Sequence, residues 1–574
     1  MKISWWGNRS VDWYLGLALA FVAGLGLRCY LLADQVFLDD EWHGFYFALG
    51  KSPGWLLTHF SVPGATCLPL NFYIWLLGQT TGWSETLLRL PSLLCGSLLL
   101  LCPLLLQRLI GTRRTLLLAF LLAISPVLIF YSRLCRPYSA VAFLGFAAVL
   151  LAARWWQTGE RKWGVWFVLA GVLAIYFHLF AIVTVAAPFL AAFTVFVWRR
   201  FAGNRPDDVP PTSFGKWLVA GAATAAVSAL LVLPALIHSM HDTFFYVALH
   251  GSFSAAGFAE MASLFSGTSL VPLVAVFWLA AIGGAVEQCR RNPWLGWTLV
   301  SLFPLHLLAL LLSRPDGAQS TIVLTRYCIP LVPVCLFFAA CGIQWAWDAI
   351  AARITFPPWL QTGTAAMLVA WLLLAGPLPQ TYAAPNNFTN HSAFQRHYGD
   401  IEWRWSFFSD LIPPAIRPAA VLMVDEVSPF YQTLGQEAGH RPIVEYPMVI
   451  GDHFNTLYYY QHFHHRPVLV GYAAGVSLPR GLAAGYVFGN TYVDEVLSLA
   501  PDPSRLHFRN FIDMDDLSRM RERQVEYVVL HKRFESQLPQ LMLPLPELGR
   551  LYKKYSQALG PPVFEDEHIA VFRW

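Results

Sequence analysis

Residues Val11–His43 read VDWYLGLALAFVAGLGLRCYLLADQVFLDDEWH. The first part, about 13–33, is apolar and long enough to cross a bilayer core, which takes roughly 20 helical residues. Asp39, Asp40 and Glu41 follow at once, with His43 just beyond. A span that ends in concentrated charge sets the pattern for the rest of the chain. Lys2 and Arg9 precede the run. The run is too long for a signal-peptide core and shows no small-residue cleavage site, so an uncleaved first span is expected.

Further apolar runs lie near 87–107, 115–131, 138–154, 163–180, 181–198, 217–237, 264–286, 294–312, 327–347 and 360–381. With the first they make about eleven expected spans. Composition agrees: 56% of the 574 residues are hydrophobic and 13% charged, against about a quarter charged in soluble domains. Beyond residue 382 the charge density is ordinary, Pro and Gly are frequent, and no run could span a bilayer. The reading is a polytopic helical membrane domain, 1–382, followed by a soluble domain, 383–574, of ordinary single-domain size. The net charge of +4 is spread over loops and marks no nucleic-acid partner. All nine cysteines, Cys29 to Cys341, fall in the membrane half. No disulfide framework is expected in the soluble domain, and the membrane cysteines read as small packing residues.

Basic residues cluster in alternate loops: Arg108/Arg113/Arg114, Arg154/Arg161/Lys162, Arg199/Arg200/Arg205/Lys216, Arg290/Arg291 and Arg353. Positive loops stay on the cytoplasmic side, so these loops and the N-terminus are expected inside. An odd number of spans then puts the C-terminal domain and Asp39–Glu41 outside.

Three polar groups would share that outer side. Crowded carboxylates repel one another, which raises at least one pKa and suits a general base; a hydrated helix cap reads as well from spacing alone. In FYSRLCRPYSA (Phe130–Ala140), Arg133 and Arg136 are three apart and share a side of a helical turn. Guanidinium forks bind oxyanions bidentately, although snorkelling to headgroups is the bland alternative. Arg326, in VLTRYCIPLVP, is a third cation or a plain interfacial anchor. In the first outer loop, Leu68–Gly82 (LPLNFYIWLLGQTTG) is too short to span and is expected in the interface. That loop supplies His59 and Asn71 as candidate pocket residues, with His43 and Tyr138 beside the charged groups.

The order of LDDEWHGFYFA, LPLNFYIWLLGQTTGWSETLLRLPSLLCG, ISPVLIFYSRLCRPYSA and LTRYCIPLVP resembles the GT-C glycosyltransferases that use polyprenyl-phosphate sugars, those related to protein O-mannosyltransferases and the lipid A aminoarabinose transferase. The resemblance covers about residues 10–350. It implies a GT-C membrane fold and inverting transfer of a sugar from a polyprenyl phosphate to an extracytoplasmic acceptor: a protein, lipid A, a polysaccharide or a lipid-linked glycan. By that resemblance Asp40 matches the catalytic acid and Glu41 its companion. Arg136, with Arg133, matches the lipid-phosphate position, and Arg326 a recurrent Arg-Tyr before a late span. A divalent cation held by Glu41 and His43 is a further implied option. Few Lys and many Leu, Ala, Gly and Arg point separately, by composition, to a GC-rich bacterium, whose inner membrane is the expected place. The chain departs from many relatives at CLPLNFY, where Cys67–Leu68 replaces a polar residue before Pro69. A transporter or flippase, the rival class, would carry mid-span charges and symmetric halves; a non-catalytic scaffold is a third option.

In the C-terminal domain, AAVLMVDE, PVLVGYAAG and VEYVVLHKRF read as strands among helical segments, giving an α/β or α+β domain. YYYQHFHHRPVLVGY contributes His462, His464 and His465, with metal binding, ligand stacking and plain packing all open.

Overall fold

The computed structural model describes residues 11–30, 32, 41, 44, 47–48, 51–60, 67–202, 212–239, 253–268, 270–315, 321–354, 358–376, 378–379, 428–437, 439, 441–446, 464, 466, 517–522, 524–532 and 545–574. The elements, in order, are α1 (Val11–Cys29), α2 (Pro53–Thr58), α3 (Leu68–Gln79), α4 (Glu85–Leu99), α5 (Pro103–Ile110), α6 (Thr112–Ile124), α7 (Pro126–Ser132), α8 (Tyr138–Thr158), α9 (Arg161–Phe177), α10 (Ala181–Ala202), α11 (Phe214–His238), α12 (Ala255–Ser266), α13 (Val271–Arg291), α14 (Pro293–Ser313), α15 (Thr321–Cys328), α16 (Leu331–Ala351), α17 (Pro358–Leu374), α18 (Pro429–Gln436), β1 (Ile443–Tyr446), α19 (Leu517–Glu522), β2 (Tyr527–His531), α20 (Leu545–Leu559), β3 (Phe564–Glu565) and β4 (Ile569–Arg573). The chain forms two compact units. One comprises 1–32, 50–75 and 89–379, and the other 33–49, 76–88 and 380–574.

The first unit is a multi-pass membrane bundle. A helix lies at each expected span, and among the described residues seven are at least 18 residues long and apolar enough to cross, eight if a bent pair counts as one. Four expected spans are interrupted, the run at 87–107 becoming α4 and α5 with a turn at 100–102 between them. The run at 115–131 becomes α6 and α7, bent by 57°; the run at 264–286 divides around Gly267–Leu270; and α15 stops short of Pro330, after which α16 begins. Pro126 and Pro330 sit at two of these breaks, where proline removes a helical amide donor.

The α6–α7 bend shows how such a break is made tolerable. Pro126 lacks an amide hydrogen, so the Leu122 carbonyl four residues earlier loses its donor. Arg28, at the end of α1 and 0% exposed, supplies donors instead. Its Nη2 donates to Leu122 O (3.2 Å) and its Nη1 to Ala123 O (3.2 Å) and Gly24 O (2.9 Å). Its Nε donates to Ser132 Oγ at 3.2 Å. The cation is thus spent on backbone groups that have no water to turn to.

At the end of the bundle that carries the basic loops, Arg114 on α6 donates to Glu287 on α13 (2.8 Å) and Asp348 on α16 (3.1 Å). Arg291 also reaches Glu287, at 3.1 Å, and Gln344 donates to Asp348 at 2.7 Å. Between α13 and α16 the contact runs through small residues. A Cβ on Gly284 or Gly342 would collide with the backbone of the facing helix, the close approach that membrane helices use in place of a hydrophobic drive.

In the second unit the strands form one mixed sheet of order β1-β2-β4-β3. β1 and β2 are parallel, and the β2–β4 and β4–β3 pairs antiparallel. All five residues of β2 are buried, as befits a central strand with both faces covered. Leu551 and Tyr555, one helical turn apart on α20, pack into the same core. The expected strand in VEYVVLHKRF is β2. The runs AAVLMVDE and PVLVGYAAG lie outside the described residues.

Candidate functional site

Two of the motif pieces that carry the resemblance, RLPSLLCG and the arginine-bearing turn, meet in space. Ser92, in RLPSLLCG on α4, donates its hydroxyl to the Arg136 carbonyl at 2.8 Å. Four residues on, Gly96 lies so close to Ser132 that any Cβ there would strike the Ser132 side chain. The arginine-bearing turn after α7 is therefore clamped against α4. Pro137 caps the start of α8, where its missing donor costs nothing.

Within the turn the two arginines part company. Arg133 is 2% exposed, and its Nη1 donates to the backbone carbonyls of Arg28 (2.8 Å) and Tyr30 (2.7 Å). It ties the turn to the end of α1. Arg136 turns to Tyr138: its Nη2 donates to the phenolic oxygen at 3.4 Å, and its guanidinium carbon lies 5.7 Å from the ring centroid. Arg326, on α15, lies 5.8 Å from the same ring. Two cations far apart in sequence, one on the turn and one on α15, thus lie beside one buried tyrosine.

Behind that ring runs a file of aromatic and imidazole groups. Tyr138 neighbours Tyr131 (5.0 Å between centroids) and His178 (6.3 Å). His178 neighbours Tyr327 at 6.1 Å, Tyr327 meets Phe180 at 5.2 Å, and Phe180 meets His306 at 6.1 Å. The Phe180 amide donates to His178 Nδ1 at 3.2 Å, so the neutral ring carries its proton on Nε2. Sequence reasoning missed His306. The available signal was a titratable ring inside an otherwise apolar span.

The other expected residues are placed as follows. Asn71, on α3, is fully buried, and among the described residues neither its Oδ1 nor its Nδ2 has a hydrogen-bond partner. Two positions along α3, burial and then the Cys135 thiol raise the Tyr73 phenol above its ordinary value. That thiol belongs to the turn between Arg133 and Arg136. His59 stacks on Trp55 (4.3 Å) and faces His238 at the end of α11 (4.8 Å), and no described contact brings it to the arginine pair. Glu41 is 1% exposed. Asp40 and His43 lie outside the described residues, so the cation reading of Glu41 with His43 is left as an expectation. Among the described residues no group of three His, Cys, Asp or Glu is arranged to hold a metal ion.

The C-terminal unit holds a second buried polar cluster. Glu445 Oε2 accepts from Tyr431 Oη (3.0 Å) and lies 2.8 Å from His531 Nε2. His464 Nε2 is 3.6 Å from the other carboxylate oxygen. The Arg466 amide donates to His464 Nδ1 at 2.9 Å, so Nε2 of the neutral ring carries the proton, and its distance to the carboxylate is longer than a hydrogen bond. Burial pushes the Glu445 carboxyl up, but the neighbouring His464 and His531 imidazoles outweigh it and hold it below the usual range. Burial holds the His464 imidazole below its ordinary value, against the pull of Glu445. His462 and His465 lie outside the described residues.

No protein-family model matches the chain, and no curated protein matches it. Solved structures do. ArnT from Cupriavidus metallidurans bound to undecaprenyl phosphate superposes with a TM-score of 0.51 at 14% identity, over 98% of this chain and 98% of that one. The same protein in the apo state gives 0.50 at 14% identity, over 97% of each chain. At that identity the likeness is one of fold, and the chain has the GT-C fold.

Proposed function

We propose that this GT-C protein is an inverting glycosyltransferase that moves a sugar from a polyprenyl phosphate to a hydroxyl-bearing acceptor outside the cytoplasm of a bacterial cell. The observation that carries the reading is the pair Arg136 and Arg326, each within 6 Å of the Tyr138 ring centre, at 5.7 and 5.8 Å. Like charges gathered in a mostly buried site are stabilised by an anion between or beside them, and guanidinium groups fit a phosphate's oxygens. The shared fold supports it, since ArnT is a structure bound to undecaprenyl phosphate.

In this mechanism Asp40 takes the acceptor's hydroxyl proton as its oxygen attacks the anomeric carbon. The bond from that carbon to the phosphate oxygen breaks, and polyprenyl phosphate departs with the electron pair. Arg136 and Arg326 meet the charge that grows on that oxygen, a role strengthened where water is scarce. Arg133 serves the phosphate through the turn it fastens, and Glu41 supports Asp40. Membrane lipids surround the donor's tail, and the acceptor is a protein, lipid A, a polysaccharide or another lipid-linked glycan.

The test is transfer from a panel of radiolabelled undecaprenyl-phosphate sugars to a membrane extract, with wild-type protein and Asp40→Asn. Transfer, or slow donor hydrolysis, that disappears in the variant supports the reading. If wild type binds undecaprenyl phosphate but never cleaves a donor, a lipid-binding or transport role replaces it.

A further inference from the structure

His306 sits on α14, whose residues Pro293–Ser313 include no other titratable side chain. It is 0% exposed. Its Nδ1 lies 2.8 Å from the Leu302 carbonyl, and a carbonyl can only accept, so Nδ1 bears the proton. The neutral ring therefore presents a lone pair at Nε2, and among the described residues that atom has no hydrogen-bond partner. A buried acceptor left unmet is a standing cost, and a polar ring in a span is functional more often than decorative.

The position of the lone pair matters. His306 is separated from Tyr327 by one ring, Phe180, and Tyr327 follows Arg326 in the chain. On the Tyr138 side of the same file, His178 has the opposite tautomer, with its proton on Nε2. The backbone thus fixes one imidazole as an acceptor and the other as a donor, both in the file that leads away from the paired arginines.

We propose that His306 is a specificity residue that reads the sugar of the donor. Its Nε2 accepts a hydrogen bond from a hydroxyl on the glycosyl group whose phosphate lies at Arg136 and Arg326. The inference rests on the proposed function, and it adds a chemical requirement: the glycosyl group carries a free hydroxyl directed away from the phosphate, into the bundle. A deoxygenated or acylated sugar at that position leaves the lone pair unmet and binds less well, because a site built for a hydroxyl discriminates strongly against its absence.

The experiment measures equilibrium binding by the purified full-length protein of undecaprenyl phosphate and of undecaprenyl phosphate bearing mannose, glucose or galactose. Wild type binds at least one of the sugar-bearing lipids more tightly than the bare lipid. His306→Phe keeps a ring of similar size and removes the acceptor. It is expected to lose about 5–10-fold for that sugar-bearing lipid while binding bare undecaprenyl phosphate within about twofold of wild type, which also shows that it has folded. His306→Gln restores an acceptor and recovers part of the loss. Equal loss for both ligands in His306→Phe assigns the residue to packing and overturns the inference. No loss for either means that water, and not the sugar, meets the lone pair, and this overturns it as well. If wild type binds the bare lipid and distinguishes none of the sugars, the inference fails and the proposed function stands. If wild type binds no undecaprenyl phosphate at all, both fall together.

Discussion

Arg28 and Arg133 brace each other: Arg133 donates to the backbone carbonyl of Arg28 at 2.8 Å, while the Arg28 side chain donates to Ser132, the residue before Arg133. Arg28 donates to backbone and hydroxyl oxygens and Arg133 to backbone carbonyls, so the end of α1 and the arginine turn are fixed as one piece.

Replacing Arg28 by leucine withdraws donors from Leu122 O and Ala123 O at the α6–α7 bend. Hydrogen bonds to charged groups are each worth about 1.5–3 kcal/mol, so a large fall in stability is expected. Thermal unfolding in detergent checks it, and Arg28→Lys, which keeps the charge and loses the fork, should fall between the two.

Arg326→Gln removes one of the two cations beside Tyr138 without disturbing the turn that holds the other. Undecaprenyl phosphate binding should weaken by about 10-fold or more, the scale of a charge-assisted contact, with little change in melting temperature. Equal affinity in wild type and variant would take Arg326 out of the anion site.

Gly96→Ala forces a methyl group into the Ser132 side chain. Overpacking of this kind costs about 1–3 kcal/mol, and the strain falls on the residue that precedes the arginine turn. Reduced affinity for undecaprenyl phosphate is expected alongside reduced stability, both measurable on the same preparation.

The Glu445 cluster makes the C-terminal unit sensitive to acid. Both Glu445 and His464 titrate below their ordinary values, so the folded form binds fewer protons than the unfolded chain. The stability they give is whole above the unfolded histidine value, about 6.5, and drains away as pH falls towards and below the carboxylate value, about 4.3. Amide exchange of β2 in the full-length protein, corrected for its intrinsic pH dependence, should show protection lost on that descent. Glu445→Gln should flatten the profile.

The spans were legible because a run of apolar residues long enough to cross a bilayer has few other uses. The arginine turn was legible too, since two arginines beside Pro137 and Tyr138 at a span end are conspicuous. The breaks in two spans could have been read from Pro126 and Pro330. The role of Arg28 could not: its partners Leu122 and Ala123 are apolar residues whose only relevant feature is a carbonyl, and any residue has one. Arg133 and Arg136 looked equivalent by spacing, and only the geometry gives one to the end of α1 and the other to Tyr138. β1 and β3 escaped notice because they are four and two residues long, too short for alternation to stand out.

The dependence of Arg28 on carbonyls 94 and 95 residues further along bears on how the chain is assembled during synthesis. At about 5–20 residues per second, α1 meets the bilayer roughly 5–20 seconds before its acceptors exist. Through that interval the charge must snorkel to the headgroups, so the first helix holds a provisional depth that α6 and α7 later make permanent. A nascent chain stopped after α5 should therefore leave α1 more readily extracted by alkali than one that extends through α7.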